Sequence, residues 1–127
     1  MNLLEDIVLH LADEGLGIIP DAEQDGNLFY GHMPDKPDLC ICVFCTDSGK
    51  PGSSTGARIQ IVTRAKDTRT AFELSESIRD ALDEFSGFLH GDGPQVSIEV
   101  INASAGLGPD ESKREIYSSN YVFRYCG

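Results

Sequence analysis

Apolar residues near the start of the chain recur at the spacing of one helical face. Leu3, Leu4, Ile7, Val8 and Leu11 follow steps of three and four, which predicts a helix over residues 2–13. Asn2 is placed to cap it, Glu5 stands three residues on as the reciprocal partner, and Gly15 and Gly17 end it. A polar stretch over 21–27 leads to Leu28-Phe29-Tyr30, a short strand. Gly31 to Lys36 reads as a connector. Residues 39–45 are apolar at nearly every position, the mark of a strand covered on both faces. One face should meet helices, and the other a second helix or another subunit.

Residues 46–56 carry glycine, proline and hydroxyl residues and predict a long loop between two strands. Residues 57–65 return to alternation, with Ile59 and Ile61 on one side and Gln60, Val62 and Arg64 on the other. Asp67 or Thr68 caps a second helix that the pattern carries to about Phe88, with Ala71, Leu74, Ile78 and Phe85 in its stripe. Gly91, Gly93 and Pro94 stop it. Residues 95–103 alternate again. Residues 104–112 read as a loop, and 114–126 as a last strand with a kink at Ser118-Ser119-Asn120. A hairpin with a fairly long connection is expected between these two strands. The sum is an α+β fold: a mostly antiparallel sheet with two principal helices packed on one face, in a single domain over 1–127.

Charge narrows the partners. There are 21 acids against 10 bases, a net charge of −11. Such a surface repels DNA, RNA and anionic membranes unless its bases cluster. No apolar run is long enough to span a bilayer, and the start of the chain lacks the basic and small-residue marks of a signal peptide, so neither a membrane nor export by that route is expected. The distribution is uneven: residues 1–47 hold ten acids and one base, 48–79 hold six bases and three acids, and 80–127 hold eight acids and three bases. That polarity suits self-association or a charged protein partner.

Candidate chemistry is sparse. Cys40 and Cys42 share one face of a strand while Cys45 points to the other, so the three do not converge on a zinc ion, and with Cys126 they read as small buried hydrophobes in a reducing compartment. Asp47-Ser48-Gly49-Lys50 lacks the glycine spacing of a phosphate loop, and Pro51 stands where its Ser or Thr belongs. His10, His32 and His90 are scattered. His32, near Asp35, is the one starting point for acid–base chemistry, and Ser53 or Ser54 lack a nucleophile elbow. Neither catalysis, metal nor cofactor is expected. Tyr117, Tyr121, Phe123 and Tyr125 share one parity and belong to the core or to an intersubunit surface. Arg114 and Arg124 lie on the other parity, where they can meet acids of a neighbouring chain or keep the face wet.

Several segments together resemble the tail-terminator or minor capsid proteins of long-tailed bacteriophages, over nearly the whole chain. They are the amphipathic first helix, Leu28-Phe29-Tyr30-Gly31, Met33-Pro34-Asp35-Lys36-Pro37-Asp38, the loop at 49–56, the junction Ile59-Gln60-Ile61-Val62-Thr63-Arg64-Ala65 and the helix from Ala71-Phe72-Glu73-Leu74 onward. The three cysteines around 39–45 are not part of the likeness. The resemblance implies an α+β subunit of a hexameric ring at the head-proximal end of the tail tube. Such a ring stops tube polymerisation and offers a head-joining surface, while DNA passes through without specific binding. Partners are then further copies, the tail-tube protein and a head-completion or connector protein, in the virion and, during assembly, the host cytoplasm. Candidate interface residues are Arg64, Lys66 and Arg69 at the strand-to-helix junction, Lys50, Pro51 and Arg58 around the loop, and Tyr121 and Arg124 on the last strand. The competing readings are a head–tail connector or head-completion protein, a small acidic inhibitor-like or immunity-like binding protein, and an enzyme built on His32.

Overall fold

The computed structural model describes residues 3–21, 25–47, 56–89 and 95–125, with the side chains of all but residues 47, 103 and 125 among them. Helix α1 spans Leu3–Asp13 and buries Ile7, Val8 and Leu11, the stripe its spacing predicts. Strand β1 (Leu28–Tyr30) is followed by β2 (Cys40–Asp47) and β3 (Ala57–Ala65), helix α2 (Thr68–Leu82), β4 (Ser86–Phe88), β5 (Gln95–Pro109) and β6 (Glu115–Tyr125). The six strands form one sheet in the order β1-β2-β3-β6-β5-β4. β1 runs parallel to β2, and every other pairing is antiparallel. The α+β architecture with a mostly antiparallel sheet is therefore present.

Alternation along the strands sorts their side chains onto two faces. Ile41 and Val43 of β2, Ile59 and Ile61 of β3, Val96 and Ile98 of β5, and Tyr121 and Phe123 of β6 join Ile7, Val8, Leu11, Ile78 and Leu82 of the helices in one buried cluster. On that side the Thr63 hydroxyl donates to the Ala71 carbonyl at 3.0 Å, fastening β3 to the start of α2. The aromatic parity of β6 thus has two members, Tyr121 and Phe123, in the core.

Three expectations change. α2 stops at Leu82, six residues short of Phe88 on the residue numbering. Asp67 caps its start by accepting from the Thr70 N–H at 3.0 Å, while at its end Asp83 is extended and Glu84 takes φ +57°. Phe85 then packs beside the core instead of extending the stripe, and its carbonyl accepts from the Ile98 N–H at 2.9 Å. A waiting strand edge offers residues 86–88 a ladder that a further helical turn would forgo, and Gly87 supplies φ +150° there. Second, β5 does not end at 103: it continues to Pro109 against β6, with register shifts at Val100/Asn102, Asn102/Ala105 and Gly106/Gly108. Its glycines and proline mark bulges in a strand rather than a loop. At Gly106 an added Cβ would stand 3.3 Å from the Tyr117 ring, so glycine permits that close approach. β6 itself pairs with β3 residue by residue through 118–120, so the irregularity predicted there sits on β5. Third, the β5–β6 connection is short. Asp110 Oδ1 accepts from the Ser112 and Arg114 N–H groups at 3.0 and 2.8 Å and closes the turn.

Candidate assembly surfaces

The chain returns from β1 to β2 through residues 31–39, which lie against the sheet face opposite the apolar cluster. The His32 backbone bonds to the Cys42 sulfur, and Cys40 and Cys42 are fully buried beneath this connector. Neither a second helix nor another subunit is needed to cover β2 at this point. Alternation explains how it is held: Thr63 points to α2, so Arg64 points the other way. Its Nη2 donates to the carbonyls of Pro34, Asp35 and Pro37 at 2.8, 3.3 and 2.7 Å, and its Nε to that of Asp38 at 3.3 Å.

Arg114 completes the clamp from the β5–β6 turn. Its guanidinium pairs with Asp110 at 2.8 Å, Asp35 at 3.1 Å and Asp38 at 3.3 Å, and donates to the Asp35 carbonyl. The Arg114 backbone N–H, with the guanidinium beside it, holds the Asp110 carboxyl below its ordinary value. Burial works against ionisation of Asp38, but Lys36 and Lys66, each 3.5 Å away, bring it below the usual range. Asp35, which follows Pro34 in the connector, gives its carboxylate to Arg114. Cys42 carries a thiol that burial pushes up to about 12, and Cys40 is raised for the same reason, so neither is a thiolate. Cys45 is exposed. Among the described residues no three His, Cys, Asp or Glu side chains gather as a metal site, and no helix is long and apolar enough to cross a membrane.

The predicted interface residues fall in different settings. Arg64 is 3% exposed, and its donors are consumed by the connector. Tyr121 is 1% exposed: its hydroxyl pairs with Ser119 at 2.8 Å, its ring meets Phe123 edge-on, and burial pushes its pKa up to about 12. Both therefore act inside the subunit as it stands. Lys66 and Arg69 are open to solvent at the α2 N-terminus, Lys66 near Asp38 and Arg69 bonded to Glu73 at 2.9 Å. Arg58 is exposed on β3 opposite Val122, and Arg124 bonds to Glu99 of β5 at 2.7 Å. Arg114 and Arg124 thus find their acids within the chain. Lys50, Pro51, Ser53, Ser54, His90 and Cys126 lie outside the described residues.

Sequence reasoning missed the Arg64–Arg114 clamp. One signal was available: an arginine inside the alternating strand 57–65, at a position whose neighbours Val62 and Cys40 are buried, needs acceptors close by. Nothing local identified those acceptors as the carbonyls of residues 34–38.

A family model described as bacteriophage tail terminator protein matches residues 10–125 of this chain. No curated protein matches it.

Proposed function

Because the chain belongs to the bacteriophage tail terminator family, we propose that it forms a hexameric ring that caps the head-proximal end of the tail tube. In that place it stops the tube from growing and offers the surface on which the head is joined. Family membership already makes it a structural tail protein of the virion, one that oligomerises and contacts other phage proteins. The family match over residues 10–125 carries the finer reading. A subunit of this kind requires surfaces rather than a reaction centre, and the polar cluster of the structure serves to hold the connector in place.

A ring needs head-to-tail contacts that close by rotation. In this reading both helices lie on one face of the sheet, and an acidic flank meets the more basic 48–79 region of a neighbour, where Arg58, Lys66 and Arg69 are exposed. Lys50 and Pro51 reach the tube. A net charge of −11 lets DNA pass without adhering. Assembly takes place in the host cytoplasm.

Native mass spectrometry and negative-stain imaging, with and without the phage's tail-tube protein, test this. Six-membered rings that bind tube ends are expected. Rings that bind portal assemblies alone would make the protein a head–tail connector, and a monomer that binds neither would sink the assembly role.

A further inference from the structure

Uncovered apolar surface concentrates along β1. A hollow of about 600 Å³ opens between α1 and β1, floored by Val8, Leu9, Leu28, Phe29 and Tyr30. A second hollow shares Pro20 and Phe29 with it, and a third shares Asp25, Gly26 and Pro37 with the second, so the three form one groove. Ile18, Tyr30 and Leu39, three of the seven large apolar side chains exposed among the described residues, lie along it. Among the described residues β2 is the one strand paired with β1; on the other edge the Ile18 carbonyl accepts from the Leu28 N–H at 3.1 Å, so the edge left to an extended segment is at Tyr30.

The rim gives this groove a sign. Glu5, Asp21 and Asp25 line it, and the single Lys or Arg among its lining residues is Lys36, whose ammonium stands 3.5 Å from Asp38. An occupant that complements the groove is therefore apolar at its centre and basic at its ends. This chain does not offer such a segment among its described residues. Its other exposed apolar side chains are Phe72, Phe88, Ile101 and Leu107. Phe72 stands between Arg69 and Glu73, which neutralise each other at 2.9 Å, and precedes Glu76 by one turn. Phe88 follows Asp83 and Glu84, Ile101 follows Glu99, and Leu107 leads into a turn where Glu111 offsets Lys113. None is flanked by net positive charge, so these segments of a second copy do not complement the rim.

We propose that the groove along β1 binds an extended apolar segment flanked by lysine or arginine, contributed by a different protein and not by another copy of this chain. The inference goes beyond ring formation and does not depend on it.

A fluorescent eight-residue probe with a Val-Phe-Val-Leu centre and two lysines at each end tests this, beside a twin with glutamates in place of the lysines. Anisotropy with the full chain should show the lysine probe binding at least about tenfold tighter than its twin, with the difference shrinking as salt rises. Glu5→Lys with Asp25→Lys should erase that preference. Tyr30→Ser, at an exposed position, should weaken the lysine probe about tenfold by removing an aromatic anchor while leaving the thermal melt in place. Equal binding of the twins, or binding of neither, would overturn the proposal. So would an oligomer that Tyr30→Ser breaks into monomers, since the groove would then be a contact between copies. Failure of the ring reading would show instead in the native mass of the unaltered protein, which the probe assay does not report.

Discussion

The sheet is covered in two places, by opposite chemistry. One is covered by apolar side chains of α1 and α2, with Ile7, Leu11, Ile78 and Leu82 fully buried in one cluster with Ile41, Val43, Ile59 and Ile61. The other, over Cys40 and Cys42, is covered by irregular backbone at 31–39. Its carbonyls at 34, 35, 37 and 38 accept from Arg64, and that of Asp35 from Arg114 as well. Buried backbone polar groups need partners, so a loop can lie on a sheet only where side chains of the sheet satisfy it. A helix brings its own hydrogen bonds and needs only an apolar floor. The helical face is therefore tolerant of shape and intolerant of cavities, and the connector face the reverse.

Substitutions can separate the two. Ile78→Ala opens a cavity on the helical face and should lower global stability by about 2–5 kcal/mol in a denaturant titration, with protection lost across the whole sheet in hydrogen exchange. Arg64→Met keeps the bulk and removes the donor to the carbonyls of Pro34, Pro37 and Asp38, while that of Asp35 keeps Arg114. A cost of about 2–4 kcal/mol is expected, and it should be local. Amides of Gly31 and Ile41 exchange faster and Cys42 becomes open to thiol reagents, while the β5–β6 ladder keeps its protection. Equal loss at both faces would show that the sheet has one stability and no separable connector.

Acid should find the same boundary. Asp110 and Asp38 sit below their ordinary value of 3.8 in the folded chain, so the stabilisation they give is complete above that value and is lost as pH falls through their lower folded values. Melting followed from pH 6 down to about 2 should show the connector loosening first, and Asp110→Asn should flatten that pH dependence. An unchanged profile in the variant would remove Asp110 from the clamp. The smallest effect concerns the thiols. In a Cys126→Ser background the folded protein should react rapidly at Cys45 alone, with Cys40 and Cys42 silent until it unfolds.

Much of the helical face was legible along the chain. The 3–4 spacing of Leu3 to Leu11, the alternation of 57–65 and the dense apolar run at 39–45 each correspond to an element within a residue or two of its observed bounds. The errors came where partners far away in sequence outweighed local pattern. Phe85 continues the stripe of α2 by spacing, yet the chain leaves the helix because β5 offers Ser86–Phe88 a ladder. Gly106, Gly108 and Pro109 read as loop, yet β6 holds them as a bulged strand. Of the candidate surface, the exposure of Lys66 and Arg69 fits the polar character of a helix start, whereas Tyr121 and Arg64 turned inward. The apolar groove along β1 had no local signature, since Val8, Phe29 and Ile18 come from three segments that meet only in the fold.

Order along the chain thus settled α1, β2, β3 and the acidic balance. Those properties follow from spacing and composition, which neighbouring residues carry between them. The parallel placement of β1, the pinning of residues 31–39 and the shape of the groove were settled by contacts such as Arg114 with Asp35, 79 positions apart. A guanidinium on a strand or turn advertises its charge, but the acceptors that consume it are known only once the chain has closed on itself.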